Sequence, residues 1–135
     1  MIVPVHDLIG DIHGHADELE ALLRALGYAR RGGVFRHPSR SAIFLGDFID
    51  RGPKIRETLE IVRPMVEAGA ALAVMGNHEL NALAFHAPDR NNPGEHLRRH
   101  TKEHSDQHAE TRRQLSAADL ASHLCLLYTS DAADE

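Results

Sequence analysis

An α/β fold, with parallel strands joined by helical crossovers, is what this sequence predicts, on three observations. Apolar segments at residues 3–9, 42–45 and 70–75 read as buried strands, and each runs directly into a glycine followed by Asp or Asn. Helical patterns follow each of them. The resulting order, strand then helix three times over, is the pattern of βαβ units, whose crossovers bring successive strands into one sheet. A chain of 135 residues has room for one domain.

The first strand ends at Gly10-Asp11. The helix after it carries Leu19, Leu22, Leu23 and Leu26 at i, i+3, i+4 and i+7, a single apolar stripe. Asp17, Glu18 and Glu20 sit in its early turns, where the helix dipole favours negative charge, and Gly27 is placed to close it. Residues 28–40, with Gly32-Gly33 between short polar segments, read as a small hairpin or loop. The second strand ends at Gly46-Asp47. Beyond the loop at Asp50-Arg51-Gly52, Pro53 suits a first helical turn, and Ile55, Leu59, Val62 and Val66 mark the buried side of the helix. Pro64 within it predicts a kink or an early end, because proline lacks the N–H and crowds the preceding turn. The third strand ends at Gly76-Asn77-His78-Glu79, and a short helix follows through Leu80, Leu83 and Ala84. Residues 88–94 read as a loop and residues 95–115 as a polar helix, with Ser116 and Asp119 capping one more short helix.

Composition narrows the function classes. Hydrophobic residues at 42% and charged residues at 26% are an ordinary globular balance. No apolar run approaches the ~20 residues that span a bilayer, and residues 1–11 lack the basic start and long apolar core of a secretory signal. A soluble, cytoplasmic chain with no membrane partner is therefore expected. A net charge of −5 argues against a partner that is a nucleic-acid polymer. The one cysteine, Cys125, excludes an intramolecular disulfide. Histidine stands out: 11 residues, six of them after position 85.

In an open parallel sheet, ligands gather outside the carboxyl ends of the strands. Three such ends side by side converge Asp11, His13, Asp47, Asn77 and His78 on one spot. Carboxylate, imidazole and amide donors together suit manganese, iron or zinc in a hydrolytic centre, whereas calcium prefers oxygen alone and structural zinc favours thiolates. Asp47, in the middle motif, has two oxygens with which to bridge two ions that share a water and clamp a phosphoryl group.

Gly10-Asp11-Ile12-His13-Gly14, Gly46-Asp47-Phe48-Ile49-Asp50-Arg51-Gly52 and Gly76-Asn77-His78-Glu79 together resemble the calcineurin-like metallophosphoesterase superfamily, in its phosphoprotein-phosphatase branch and a bacterial version of it. The resemblance covers residues 6–86 and implies a metallo-dependent phosphatase fold, a β-sandwich flanked by helices with a dinuclear centre at the strand ends. It implies that Asp11 and His13 bind one metal, that Asp47 bridges, and that Asn77 binds the second. His78 is then the general acid, oriented by Asp50; Arg51 binds the substrate phosphate; Glu79 supports the ligands from behind. Two divalent ions, manganese first, are the implied cofactors. Implied substrates are phosphoserine or phosphothreonine proteins, dinucleoside polyphosphates and small phosphoesters.

Two departures accompany the resemblance. Eukaryotic members carry an arginine just before the third motif, where this chain has Met75. The family's second metal also takes two later strand-end histidines, whereas His86 and His123 fall in helix-like surroundings. The expectation is a domain truncated to its N-terminal βαβαβ half over residues 1–124, with apolar faces left open and little activity. Residues 125–135 resemble the translation of a sequencing-library adapter and are expected to be a non-native tail. The rival reading is an inactive fragment that binds at most one metal.

His96, His100, His104 and His108 recur every fourth residue, which on a helix sets them along one face. A solvated polar helix is the leading expectation. A substrate-facing cap with Arg98, Arg99, Lys102, Arg112 and Arg113 and a histidine-rich metal-binding module are the alternatives.

Overall fold

A computed structural model describes residues 4–129. Strands β1 (Val5–Ile9), β4 (Arg40–Phe44) and β5 (Ala71–Ala73) form a parallel sheet in the order β1-β4-β5, with β4 central. Between β1 and β4 lie helix α1 (Ala16–Ala25) and the antiparallel hairpin of β2 (Ala29–Arg31) and β3 (Val34–Arg36). Helix α2 (Ile55–Glu67) connects β4 to β5. After β5 come α3 (Asn77–His86), α4 (Lys102–Gln107), α5 (Ala109–Gln114) and α6 (Ala117–Thr129). The mixed α/β architecture agrees with the sequence reading. The hairpin and the helices after β5 make it more than a bare βαβαβ half.

Helix α2 is the hub. Ile55, Leu59, Ile61, Val62, Met65 and Val66 are buried along it, and it packs against α1, β3, β5, α5 and α6. Leu120, Leu124 and Leu127 of α6 are buried at i, i+4 and i+7 in the same core, and Ser116 Oγ accepts the Asp119 N–H at 3.0 Å to cap that helix. Of the segment expected to be foreign, residues 130–135 lie outside the described residues, and residues 125–129 continue α6.

The early end expected at Pro64 does not occur: α2 runs three residues further, to Glu67. Met65 and Val66 in that last turn are buried, so packing outweighs the one hydrogen bond that proline forgoes. Nor are residues 95–115 one helix. Residues 95–101 lie against the end of α3, whose last carbonyls need donors. Leu97 N–H donates to Ala87 at 2.9 Å, Arg98 N–H to Ala84 at 2.9 Å, and the His100 ring Nε2 to the Phe85 carbonyl at 2.6 Å. Thr101 then caps α4 by accepting the His104 N–H at 3.1 Å. The histidine stripe is therefore divided among three local structures rather than spread along one solvated face.

One face of the sheet is covered by helices and the other is open among the described residues. Leu8, Ile43 and Leu72 are partners in register on the open face, and Leu8 and Leu72 are 66% and 48% exposed. Parallel sheets normally have both faces covered, so this agrees with the apolar exposure expected from sequence. The double substitution Leu8→Ser, Leu72→Ser is expected to reduce binding of a hydrophobic dye while shifting stability by no more than about 0.5 kcal/mol. Leu59→Ala, on the covered side, should cost about 2–5 kcal/mol in urea unfolding.

Candidate functional site

The loops after β1, β4 and β5 meet edge to edge. His13 N–H donates to the Asp47 carbonyl and Gly14 N–H to the Phe48 carbonyl, both at 2.8 Å, which joins the first loop to the second. Glu79 joins the second to the third. Its fully buried carboxylate accepts the N–H groups of Asp47 at 2.6 Å, Phe48 at 2.9 Å and Gly76 at 3.0 Å. Burial pushes the Glu79 carboxyl above its ordinary range, and the Asp47 charge adds to this, while the three backbone donors pull the other way. The fit is close enough to dictate two glycines. A Cβ on Gly46 would strike the Gly76 backbone, and one on Gly76 would strike the Asp47 carboxylate.

Within this junction the ligand atoms of Asp11, His13 and Asp47 all lie within 4.8 Å of one another. Asp11 is 86% exposed at the side chain and His13 only 9%, with His13 Nε2 4.0 Å from Asp11 Oδ1. His13 Nδ1 donates to the Ile49 carbonyl at 2.8 Å. A carbonyl only accepts, so the proton sits on Nδ1 and the Nε2 lone pair faces the carboxylates, the arrangement a metal-ligating imidazole uses. His78 N–H holds Asp47 Oδ1 at 3.1 Å. The donor set of two carboxylates and one imidazole fits a divalent transition-metal ion.

Asn77 is exposed and its amide lies beside the Asp47 carboxylate; with the NH2 turned inward it donates to both oxygens at 3.3 Å. His78 is buried, its ring centroid 4.6 Å from that of His13, and its Nδ1 is 2.8 Å from Asp50 Oδ2. Asp50 has no solvent exposure. Burial raises its carboxyl pKa, but hydrogen bonds from His108, Thr111 and His78 outweigh this and hold it below the usual carboxylate range, so it stays ionised. Arg51 is exposed. Five non-glycine residues have left-handed φ among the described residues, and all lie in these loops: Asp11 (52°), His13 (44°), Asp47 (56°), Asp50 (68°) and Arg51 (71°). Such conformations cost about 1–3 kcal/mol each and concentrate where function over-determines the backbone.

The structure thus brings together Asp11, His13, Asp47, Asn77, His78 and Asp50, the residues expected from sequence. Sequence reasoning missed His108 and Thr111, which join Asp50 from behind: His108 Nδ1 lies 3.0 Å from Asp50 Oδ2, and the Thr111 hydroxyl donates to Oδ1 at 2.6 Å. The regular spacing of the histidines masked the signal, since it made His108 one of a solvated set.

Fold and site together define an α/β protein whose candidate metal donors stand at the carboxyl ends of a parallel sheet. The model of the calcineurin-like phosphoesterase family matches residues 7–126, and this chain belongs to that family. Among its relatives, a bis(5'-nucleosyl)-tetraphosphatase PrpE [asymmetrical] of Bacillus subtilis is 46% identical over 74 residues, covering 54% of this chain and 30% of the relative. A protein of the same name from Oceanobacillus iheyensis is 41% identical over 73 residues, 53% of this chain and 29% of the relative. A symmetrical bis(5'-nucleosyl)-tetraphosphatase of Hamiltonella defensa is 42% identical over 93 residues, 67% of this chain and 30% of the relative. The chain thus matches about a third of the length of these relatives. Their names correct the expected branch: the similarity runs to nucleotide tetraphosphatases and not to phosphoprotein phosphatases. Met75, standing where eukaryotic members carry arginine, already departed from the protein-phosphatase pattern in the sequence.

Glu79→Ala leaves three backbone N–H groups in the loop junction without an acceptor. Each unpaired buried donor costs about 1–3 kcal/mol, so the variant is expected to unfold at clearly lower urea concentration, and Glu79→Gln to fall between it and the unsubstituted chain.

Proposed function

We propose that this chain carries the metal site and the proton-donating pair of a metal-dependent hydrolase acting on phosphoanhydrides or small phosphoesters, with a bis(5'-nucleosyl) tetraphosphate as the first substrate to try. The observation that carries this reading is the convergence of Asp11, His13 and Asp47 beside the buried His78–Asp50 pair. Family membership and the names of the relatives support the substrate class.

Asp11, His13 and Asp47 hold one divalent cation, with manganese, iron and zinc all compatible with the donors. Bound there, it supplies Lewis acidity to a phosphoryl oxygen and to the attacking water. His78, tied at Nδ1 to ionised Asp50, presents Nε2 to the site and hands a proton to the departing oxygen. The exposed Arg51 guanidinium takes phosphate oxygens in a bidentate grip. Asn77, its NH2 donating to Asp47, helps to hold that carboxylate in place.

The one-metal reading is favoured over a dinuclear centre, because a second cation would have only Asp47 and Asn77 among the described residues. The same observation favours a second reading, a chain that binds one metal with little turnover of its own. The histidine stripe supports no metal module: its residues form no convergent cluster among the described residues, and His100 and His104 are bonded to backbone carbonyls.

Titration of the metal-free chain with manganese should give one equivalent bound. Asp47→Asn or His13→Ala should reduce the affinity by at least about tenfold. Two equivalents of comparable affinity would overturn the single-ion assignment. With manganese present, diadenosine tetraphosphate should be cleaved slowly, and His78→Asn should lower kcat by about 100-fold. A complete lack of cleavage would leave the metal-binding reading alone.

A further inference from the structure

A histidine that is 1% exposed must be explained by what its ring touches. The His108 Nδ1 lies 3.0 Å and 3.2 Å from the two Asp50 oxygens. Its Nε2 is buried with no hydrogen-bond partner. Filling that space would need only an apolar ring. A buried imidazole costs desolvation, and the Asp50 carboxylate is what offsets it.

Thr111, also 1% exposed, makes a two-way clasp with the same residue. Its hydroxyl donates to Asp50 Oδ1 at 2.6 Å and accepts the Asp50 N–H at 2.9 Å. That N–H belongs to a residue in left-handed backbone conformation, so the clasp fixes the main chain and the carboxylate together. One turn on, Gln114 accepts the Ile55 N–H at 2.6 Å and donates to the Gly52 carbonyl at 2.9 Å. Helix α5 therefore brackets the Asp50-Arg51-Gly52 turn from behind. Phe85 of α3, the helix that begins with Asn77 and His78, meets the His108 ring edge-on at 5.2 Å between centroids. His108 thus touches both the Asp50 carboxylate and the helix that carries its partner.

We propose that His108 and Thr111 are positioning residues: they lock the Asp50 carboxylate so that it holds His78 in one ring orientation with Nε2 toward the metal-binding loops. This rests on the proposed role of His78 as proton donor. Asp50 Oδ2 receives both His78 and His108, and Oδ1 receives Thr111, so the carboxylate plane is set from behind and cannot turn away from His78. Neither residue lies within the metal-ligating set, so their effect should fall on the proton donor and not on metal affinity.

The test uses the whole 135-residue chain with manganese, comparing Thr111→Val, His108→Phe and Thr111→Ser. Val matches Thr in shape without the hydroxyl, and Phe keeps an aromatic ring against Phe85. The first readout is exchange of the His78 Nδ1–H with water by proton NMR, with diamagnetic zinc in place of manganese. It should quicken by at least about tenfold in T111V and H108F and return close to the unsubstituted rate in T111S. The second readout is hydrolysis of p-nitrophenyl phosphate. Loss of orientation should lower kcat by about 10–100-fold while KM and manganese affinity stay within about threefold. Unchanged exchange in folded T111V and H108F would overturn the proposal. So would collapse of the fold in both, since the residues would then be plain structural supports. If the unsubstituted chain hydrolyses nothing, the proposed activity fails, and the exchange comparison still decides the positioning role.

Discussion

The Glu79 carboxylate is the point on which the site hangs. Three loops leave the sheet at neighbouring strand ends, and nothing in strand pairing alone would hold their tips in contact. Glu79 does so by accepting N–H groups from two of them, while the third is tied in by the paired hydrogen bonds of His13 and Gly14. A buried carboxyl is expensive to ionise, and this one is pushed toward its neutral form by burial. The site tolerates that cost because the alternative is several unpaired backbone donors in the same dry space. The same closeness makes glycine obligatory at Gly46 and Gly76 and leaves Asp47 with its carboxylate aimed and little freedom to turn.

Much of this was legible in the sequence because it is local. A strand that ends in glycine and a donor residue carries its own instruction, and three of them in order carry the geometry of the sheet mouth. The hairpin at residues 28–40, the stripe of α1 and the cap at Ser116 belong to the same class, since each depends on residues a few positions apart. What was not legible is long-range. The i+4 spacing of four histidines looks identical whether they share a helix or not. The outcome was decided by the unsatisfied carbonyls at the end of α3, which draw in residues 95–101, and by a break at His108 that turns its ring into the core. The contact between Asp50 and Thr111 spans 61 positions and has no periodic signature at all. Pro64 shows the same limit from the other side: its local cost is real, but buried Met65 and Val66 decide the length of the helix.

The two halves of the site differ in how they are held, and this bears on how it works. The side of the candidate metal donors is shallow. Asp11 is largely exposed and Asn77 is exposed, so both are open to solvent. The other side is deep, with His78, Asp50, His108 and Thr111 all buried. Metal binding tolerates an open mouth because the ion itself orders its ligands once present. A proton donor, the role proposed for His78, has no such help. Its angle must be set by the protein beforehand, in a place where water cannot compete for the hydrogen bonds. The left-handed backbone at Asp50 and Arg51 folds one residue inward toward the clasp from α5 and leaves the next exposed to solvent, within a single peptide unit. An extended strand would also set successive side chains on opposite sides; here the chain turns sharply as well, with the Gly52 N–H donating to the Asp50 carbonyl at 2.9 Å.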